Sequence, residues 1–162
     1  MRILIITHPR SGGTILGKWL SEELGYDFIN ELSHEEEVID NLTITKNSQN
    51  NIVVKIFPYK LVNKNVDILS FIKTYDYALL SGALTVPQNN QSELIFKVIE
   101  KMFLLSKYGI ALNFLSVFSD YFEPNLYYAD PSEIIRMSSS ISKKFILRHD
   151  YMTHDMTIFI YH

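Results

Sequence analysis

MRILIITHPRSGGTILGKWL, residues Met1 to Leu20, opens with an apolar run at Ile3–Ile6 that breaks at Pro9. The chain then passes through Arg10-Ser11-Gly12-Gly13-Thr14 and resumes at helical spacing with Ile15, Leu16, Trp19 and Leu20. This reads as a buried strand, a tight loop and a helix start. A helix N-terminus exposes unpaired N–H groups and the positive end of its dipole, so it favours an anion. Two glycines let the backbone curl close to a phosphate, while Arg10, Ser11 and Thr14 add charge and hydroxyl donors. An anion-binding loop is predicted; a plain strand-to-helix turn with Thr14 near the cap is the alternative.

Further along, Tyr26–Asn30, Ile52–Phe57, Asp76–Leu84, Ile110–Leu115, Phe145–Arg148 and Thr157–Tyr161 read as strands. The continuous apolar runs among them suit strands buried on both faces. Helices are expected over Thr14–Leu24, Ser33–Leu42, Val66–Lys73 and Ser92–Lys107. The last of these carries Leu94, Ile95, Val98, Met102 and Leu105 on one stripe, with Gly109 as its stop. Asp130-Pro131-Ser132-Glu133 combines an N-cap residue, a first-turn proline and an acid at N3, so a further helix runs from there to about Ser142. Strands alternating with helices imply a single Rossmann-like α/β domain of three layers. Its sheet should be mostly parallel and closed by an antiparallel C-terminal edge hairpin.

The chain has 162 residues, 47% apolar and 20% charged, enough for one domain with a proper core. A net charge of −3 speaks against a generic electrostatic grip on nucleic acid. There is no cysteine, which excludes disulfides, thiolate metal sites and cysteine nucleophiles. No apolar run reaches the roughly 18 residues of a membrane span, so a cytoplasmic protein that does not act at a membrane is expected.

Pro9-Arg10-Ser11-Gly12-Gly13-Thr14 in its strand–loop–helix setting resembles the nucleotide-binding loop of sulfotransferases. The likeness extends through Ile52–Pro58 to about Lys73. It implies that the loop holds the phosphosulfate of the donor PAPS. Arg10 would then stabilise charge on the bridging oxygen as a sulfuryl group moves to a hydroxyl of a small molecule or sugar, without a metal. Lys55 would face the same pocket, or else be a solvated strand-end lysine. Glu31 stands where other members of the family place a glutamate, which implies a base for the acceptor; a surface carboxylate is the plain alternative. A Walker-type reading of Gly12-x4-Gly17-Lys18 is set aside, because Trp19 occupies the place of the magnesium-binding hydroxyl.

From about Tyr75 onward, YDYALLSGAL, YGIALNFLS, YYADPSEI, KKFILRHDY and TIFIYH resemble the C-terminal half of class I S-adenosylmethionine-dependent methyltransferases. That resemblance implies the later strands of a seven-stranded sheet, ending in its antiparallel pair, and part of an acceptor pocket. It also implies S-adenosylmethionine as the alternative cofactor. Each half lacks something the other family requires. No arginine for a 3′-phosphate follows Asp76–Leu84, and the loop after the first strand is Arg-Ser-Gly-Gly-Thr rather than the methyltransferase glycine loop. A sulfotransferase-like protein binding PAPS is therefore the leading expectation, with a methyltransferase-like protein second and a non-catalytic hybrid or binding module third.

His8, beside the loop, titrates near neutrality or is a hydrogen-bonded strand-end residue. His149, Asp150, His154 and Asp155 invite a metal reading that a predicted hairpin does not make converge. Phe118, Tyr121, Phe122, Tyr127 and Tyr128 wall an acceptor pocket or pack their loop onto the core.

Overall fold

Alternation of apolar and polar residues along the second half of the chain builds one well-buried sheet face, and two amphipathic helices cover it. The computed structural model describes residues 2–7, 19, 22–23, 25, 27–29, 52–56 and 75–162. Among them seven strands form one sheet: β1 (Arg2–Thr7), β2 (Asp27–Ile29), β3 (Ile52–Ile56), β4 (Tyr75–Ser81), β5 (Ser106–Leu115), β6 (Phe145–Arg148) and β7 (Asp155–Tyr161). Their order is β2-β3-β1-β4-β5-β7-β6. Helix α1 (Gln91–Leu105) joins β4 to β5, and α2 (Pro131–Ile141) precedes β6.

β1 lies between β3 and β4, parallel to both, with Ile3 opposite Val53 and Tyr77. The two halves of the sequence thus share a sheet through direct backbone pairing. β7 runs antiparallel to both neighbours, β5 and β6, which gives the antiparallel C-terminal edge expected. β3 stands next to β1 and pushes β2 to the edge. A doubly wound sheet in the 3-2-1-4-5 order would have β2 there instead. At the usual strand spacing, β2 sits about 10 Å from β1.

The core lies under the helices. Ile95, Val98, Ile99, Met102 and Leu105 of α1, spaced three and four apart, face Ala78, Leu80, Ile110 and Leu112 of the sheet. Ile134 of α2 and Met156, Ile158 and Ile160 of β7 complete it. Each such fully buried aliphatic side chain contributes about 1.5–3 kcal/mol relative to exposure. Asp130 caps α2 as expected, its Oδ1 accepting the Ser132 amide at 2.7 Å.

One expectation needs correcting. Gly109 does not stop α1; the helix ends at Leu105 and Ser106, with φ −92° and ψ 154°, turns the chain directly into β5. Gly109 lies inside that strand, opposite Tyr161, where a Cβ would come within 2.7 Å of the Ile160 carbonyl oxygen and 3.2 Å of Tyr161 Cδ1. Its role is close approach of two backbones. The helix residue Trp19 is 54% exposed and so is not part of the described core.

Because the atom met at 2.7 Å is backbone, it cannot rotate away. Gly109→Ala is therefore expected to destabilise the fold by about 1–3 kcal/mol through a widened β5–β7 seam. Urea unfolding measures this, and a midpoint equal to the parent's would refute the close approach.

Candidate functional site

In an open α/β sheet, ligands sit outside the carboxyl ends of the strands, where the chain reverses its direction of travel across the sheet. Here that place is between β1 and β4. From β1 the chain moves outward to β2 and β3, and from β4 it moves the other way to β5. The wall on the β4 side consists of Ser81, Gly82, Ala83 and Leu84. Gly82 has φ 59°, a left-handed conformation that side chains disfavour, and it turns the chain sharply as β4 ends. Ala83 and Leu84 are buried. The turn is held by Thr85 Oγ1 donating to the Gly82 carbonyl at 3.2 Å and by Gln91 Nε2 donating to the Leu84 carbonyl at 2.9 Å. Gln91 Oε1 also accepts the Gln88 amide at 2.9 Å, so one buried side chain ties this loop to the start of α1.

Next to this crevice, residues 116–130 fold over the carboxyl end of β5. The segment is anchored at both ends. Ser116 forms a parallel bridge with Ala129, and the Ser116 amide donates to the His154 carbonyl at 2.9 Å. The Tyr127 amide donates to the Thr85 carbonyl at 2.8 Å, which lashes this loop to the one after β4. Within the segment, Ser119 Oγ donates to the Tyr121 carbonyl at 2.6 Å, and Tyr128 Oη accepts the Glu123 amide at 2.8 Å. Burial, aided by the nearby acids Glu133 and Asp130, holds the Tyr127 phenol above its ordinary pKa.

These contacts leave a cleft of about 320 Å³ floored by Leu115, with Ser119, Asp120, Tyr121 and Tyr128 on one side and Thr153 and His154 on the other. A second hollow of about 360 Å³ adjoins it, sharing Asp120 and Thr153 and adding Phe118, His149 and Tyr151. The expected aromatic wall is therefore half realised: Tyr121 and Tyr128 line the cleft, whereas Tyr127 packs against the core. Phe118 and Tyr121 are each 68% exposed at the mouth.

Asp120, Glu123 and Thr153 escaped the sequence reading. They carry no motif, and only the antiparallel return of β7 brings the β6–β7 turn beside this loop. Among the described residues no group of three or more histidine or acidic side chains could hold a metal ion. Asp150 instead binds Arg148 through two hydrogen bonds of 2.9 and 2.8 Å, which hold its carboxyl below the usual range. Of the residues singled out at the N-terminal end, Arg10, Ser11, Gly12, Gly13, Thr14 and Glu31 lie outside the described residues, as does His8. Lys55 is in β3, paired with Ile5 of β1. No helix among the described residues is long and apolar enough to cross a membrane.

No protein-family model matches the sequence, and no curated protein is significantly similar to it. Solved structures are similar in fold. A SAM-dependent methyltransferase from Archaeoglobus fulgidus matches with TM-score 0.57 at 12% identity, over 99% of this chain and 86% of that one. Magnesium protoporphyrin IX methyltransferase from Synechocystis PCC 6803, with bound SAH, matches with TM-score 0.52 at 9% identity, over 98% and 73%. A protein from Nostoc punctiforme PCC 73102 matches with TM-score 0.60 at 15% identity; the chain is covered in full and spans 52% of that protein's length. The likeness shows a Rossmann-like fold of the class I methyltransferase kind.

The leading expectation is corrected by this finding. Methyltransferase structures are prominent among the neighbours in fold, which favours the methyltransferase reading, so neither the sulfotransferase reading nor PAPS as its cofactor stands. A six-residue loop pattern reports only a local backbone that suits an anion, which several chemistries use.

Two outcomes follow from the loop's anchoring. Tyr128→Phe removes the acceptor of the Glu123 amide, so that amide should exchange with solvent roughly tenfold faster, in line with one lost hydrogen bond. Exchange unchanged at Glu123 would refute the contact. Hydrogen bonds from Ser132, from its hydroxyl first and its amide second, lower the Asp130 pKa in the folded state. A depressed carboxyl stabilises above its unfolded value of about 3.9 and loses that effect as pH falls through the folded value. The loss in melting temperature caused by Asp130→Asn should therefore be larger at neutral pH than in acid, and an equal loss at both would contradict the cap.

Proposed function

We propose that this chain binds S-adenosylmethionine in the crevice between the carboxyl ends of β1 and β4 and presents a small-molecule acceptor from the cleft at the end of β5. The observation that carries the reading is the sheet itself. A parallel run of β1, β4 and β5 is followed by an antiparallel β7 inserted before β6, and a methyltransferase structure superposes over 99% of this chain with TM-score 0.57.

The residues at the crevice fit such a cofactor in one respect that the geometry exposes. Ser81, Gly82 and Ala83 are small, and the left-handed turn at Gly82 brings backbone rather than side chain to the place where β4 ends. The cofactor when bound supplies a methyl group made electrophilic by its sulfonium. The chain's own part is to hold and orient. In sequence, β1 is followed directly by the Pro9–Thr14 stretch, and Arg10 offers a guanidinium suited to the cofactor's carboxylate. Glu31 follows β2, and with β3 between β2 and β1 it is not assigned to the cofactor here. The cleft volume of about 320 Å³ is at the lower end of the range for small-molecule sites, which supports a compact acceptor.

Isothermal titration of the full chain with S-adenosylhomocysteine tests the proposal. Saturable heat is expected, with affinity reduced about tenfold by Arg10→Ala, the size of a lost charge-assisted hydrogen bond. No heat at millimolar ligand would overturn it. Binding that Arg10→Ala leaves untouched would remove the loop from the site.

A further inference from the structure

The cleft at the end of β5 has a marked chemical bias. Among the described residues no lysine or arginine lines it or the adjoining hollow, whereas Asp120, Glu123 and Asp150 do. Asp150 is committed to Arg148, while neither Asp120 nor Glu123 forms an ion pair among the described residues. Asp120 borders both spaces, so its acidic group stands where they meet.

Aromatic rings accompany the acids. Tyr121 and Tyr128 line the cleft, and Phe122 stacks obliquely on Tyr128 with centroids 4.7 Å apart, which backs that ring from outside. Ring faces beside carboxyl groups attract an organic cation twice over, through the ring quadrupole and through charge.

We infer that the cleft takes an organic cation, a small molecule with an ammonium head seated among Asp120, Glu123, Tyr121 and Tyr128. This names the class of acceptor molecule for the proposed methyl-transfer site, the methyl going to a lone-pair-bearing atom of that molecule other than its ammonium nitrogen while S-adenosylhomocysteine leaves, and it rests on that reading for its biological meaning, though not for binding. It replaces the hydroxyl acceptor expected from the sequence. An uncharged hydroxyl compound would leave both acids without a counter-charge.

Tetramethylammonium is the probe and tert-butyl alcohol, of similar bulk without charge, is its control. Both are titrated into the full chain while backbone amide resonances are followed. Millimolar binding of the cation is expected, with shifts centred on residues 119–128 and 153–154 and weaker binding as salt rises. Asp120→Asn, Glu123→Gln and Tyr121→Leu should each weaken it about twofold to fivefold. All three side chains are exposed, and a melting curve for each variant confirms folding. Equal binding of the alcohol, no shifts at high cation concentration, or indifference to all three substitutions would each overturn the inference. Titration of the same sample with S-adenosylhomocysteine separates the two claims. Cation binding without nucleoside binding sinks the methyl-transfer reading alone, and the reverse sinks this inference alone.

Discussion

The seam between β5 and β7 is the constraint on which the rest of the molecule depends. Seven residue pairs, from Gly109 with Tyr161 to Leu115 with Asp155, run antiparallel along it. The two backbones approach so closely at Gly109 that no Cβ fits there. The seam fixes the phase of β7, so Met156, Ile158 and Ile160 fall on the face under α1 and α2. A slip of one residue would turn all three to the opposite face. It also sets where β7 begins, and that is what carries the β6–β7 turn to the carboxyl end of β5.

The candidate site is a consequence of that return. A parallel β7 would begin at the far end of the sheet, and Thr153 and His154 would not meet Ser116. Because β7 is antiparallel, the His154 carbonyl accepts the Ser116 amide, and the loop over β5 gains a second wall. The tether from Tyr127 to Thr85 then links this loop to the turn at Gly82. Cleft and crevice are thus joined by backbone hydrogen bonds. A donor in one and an acceptor in the other would be held in a fixed relation, as group transfer requires.

Local chemistry was readable in the chain, and long-range pairing was not. Asp130-Pro131-Ser132-Glu133 announces a helix start because the cap, the ring-fixed φ and the acid all act within four residues. The stripe from Ile95 to Leu105 announces α1 because burial repeats at the helical period. Gly109 was misread for the same reason: a glycine after a helix commonly ends it, and nothing nearby reports a strand from the far end of the chain pressing against it. The loop Arg10–Thr14 drew a family resemblance from six residues that describe an anion-friendly turn. The sheet as a whole resembles a different family, and only there did the second resemblance, built on the later strands, prove the better guide. Asp120 and Glu123 carry no signal at all, since single acids in an aromatic loop look like any solvated surface.

The sequence by itself determined an α/β chain, the two described helices, the positions of the strands to within a few residues, and an antiparallel end. Those follow from periodicity and capping, which act over a few residues. Only the tertiary structure decided that β3 and not β2 adjoins β1, that β4 joins the two halves, and that acids, rings and a histidine from separate segments share one cleft. Strand pairing and cleft composition depend on which distant backbones satisfy one another's hydrogen bonds, and that choice is made by the packed sheet as a whole.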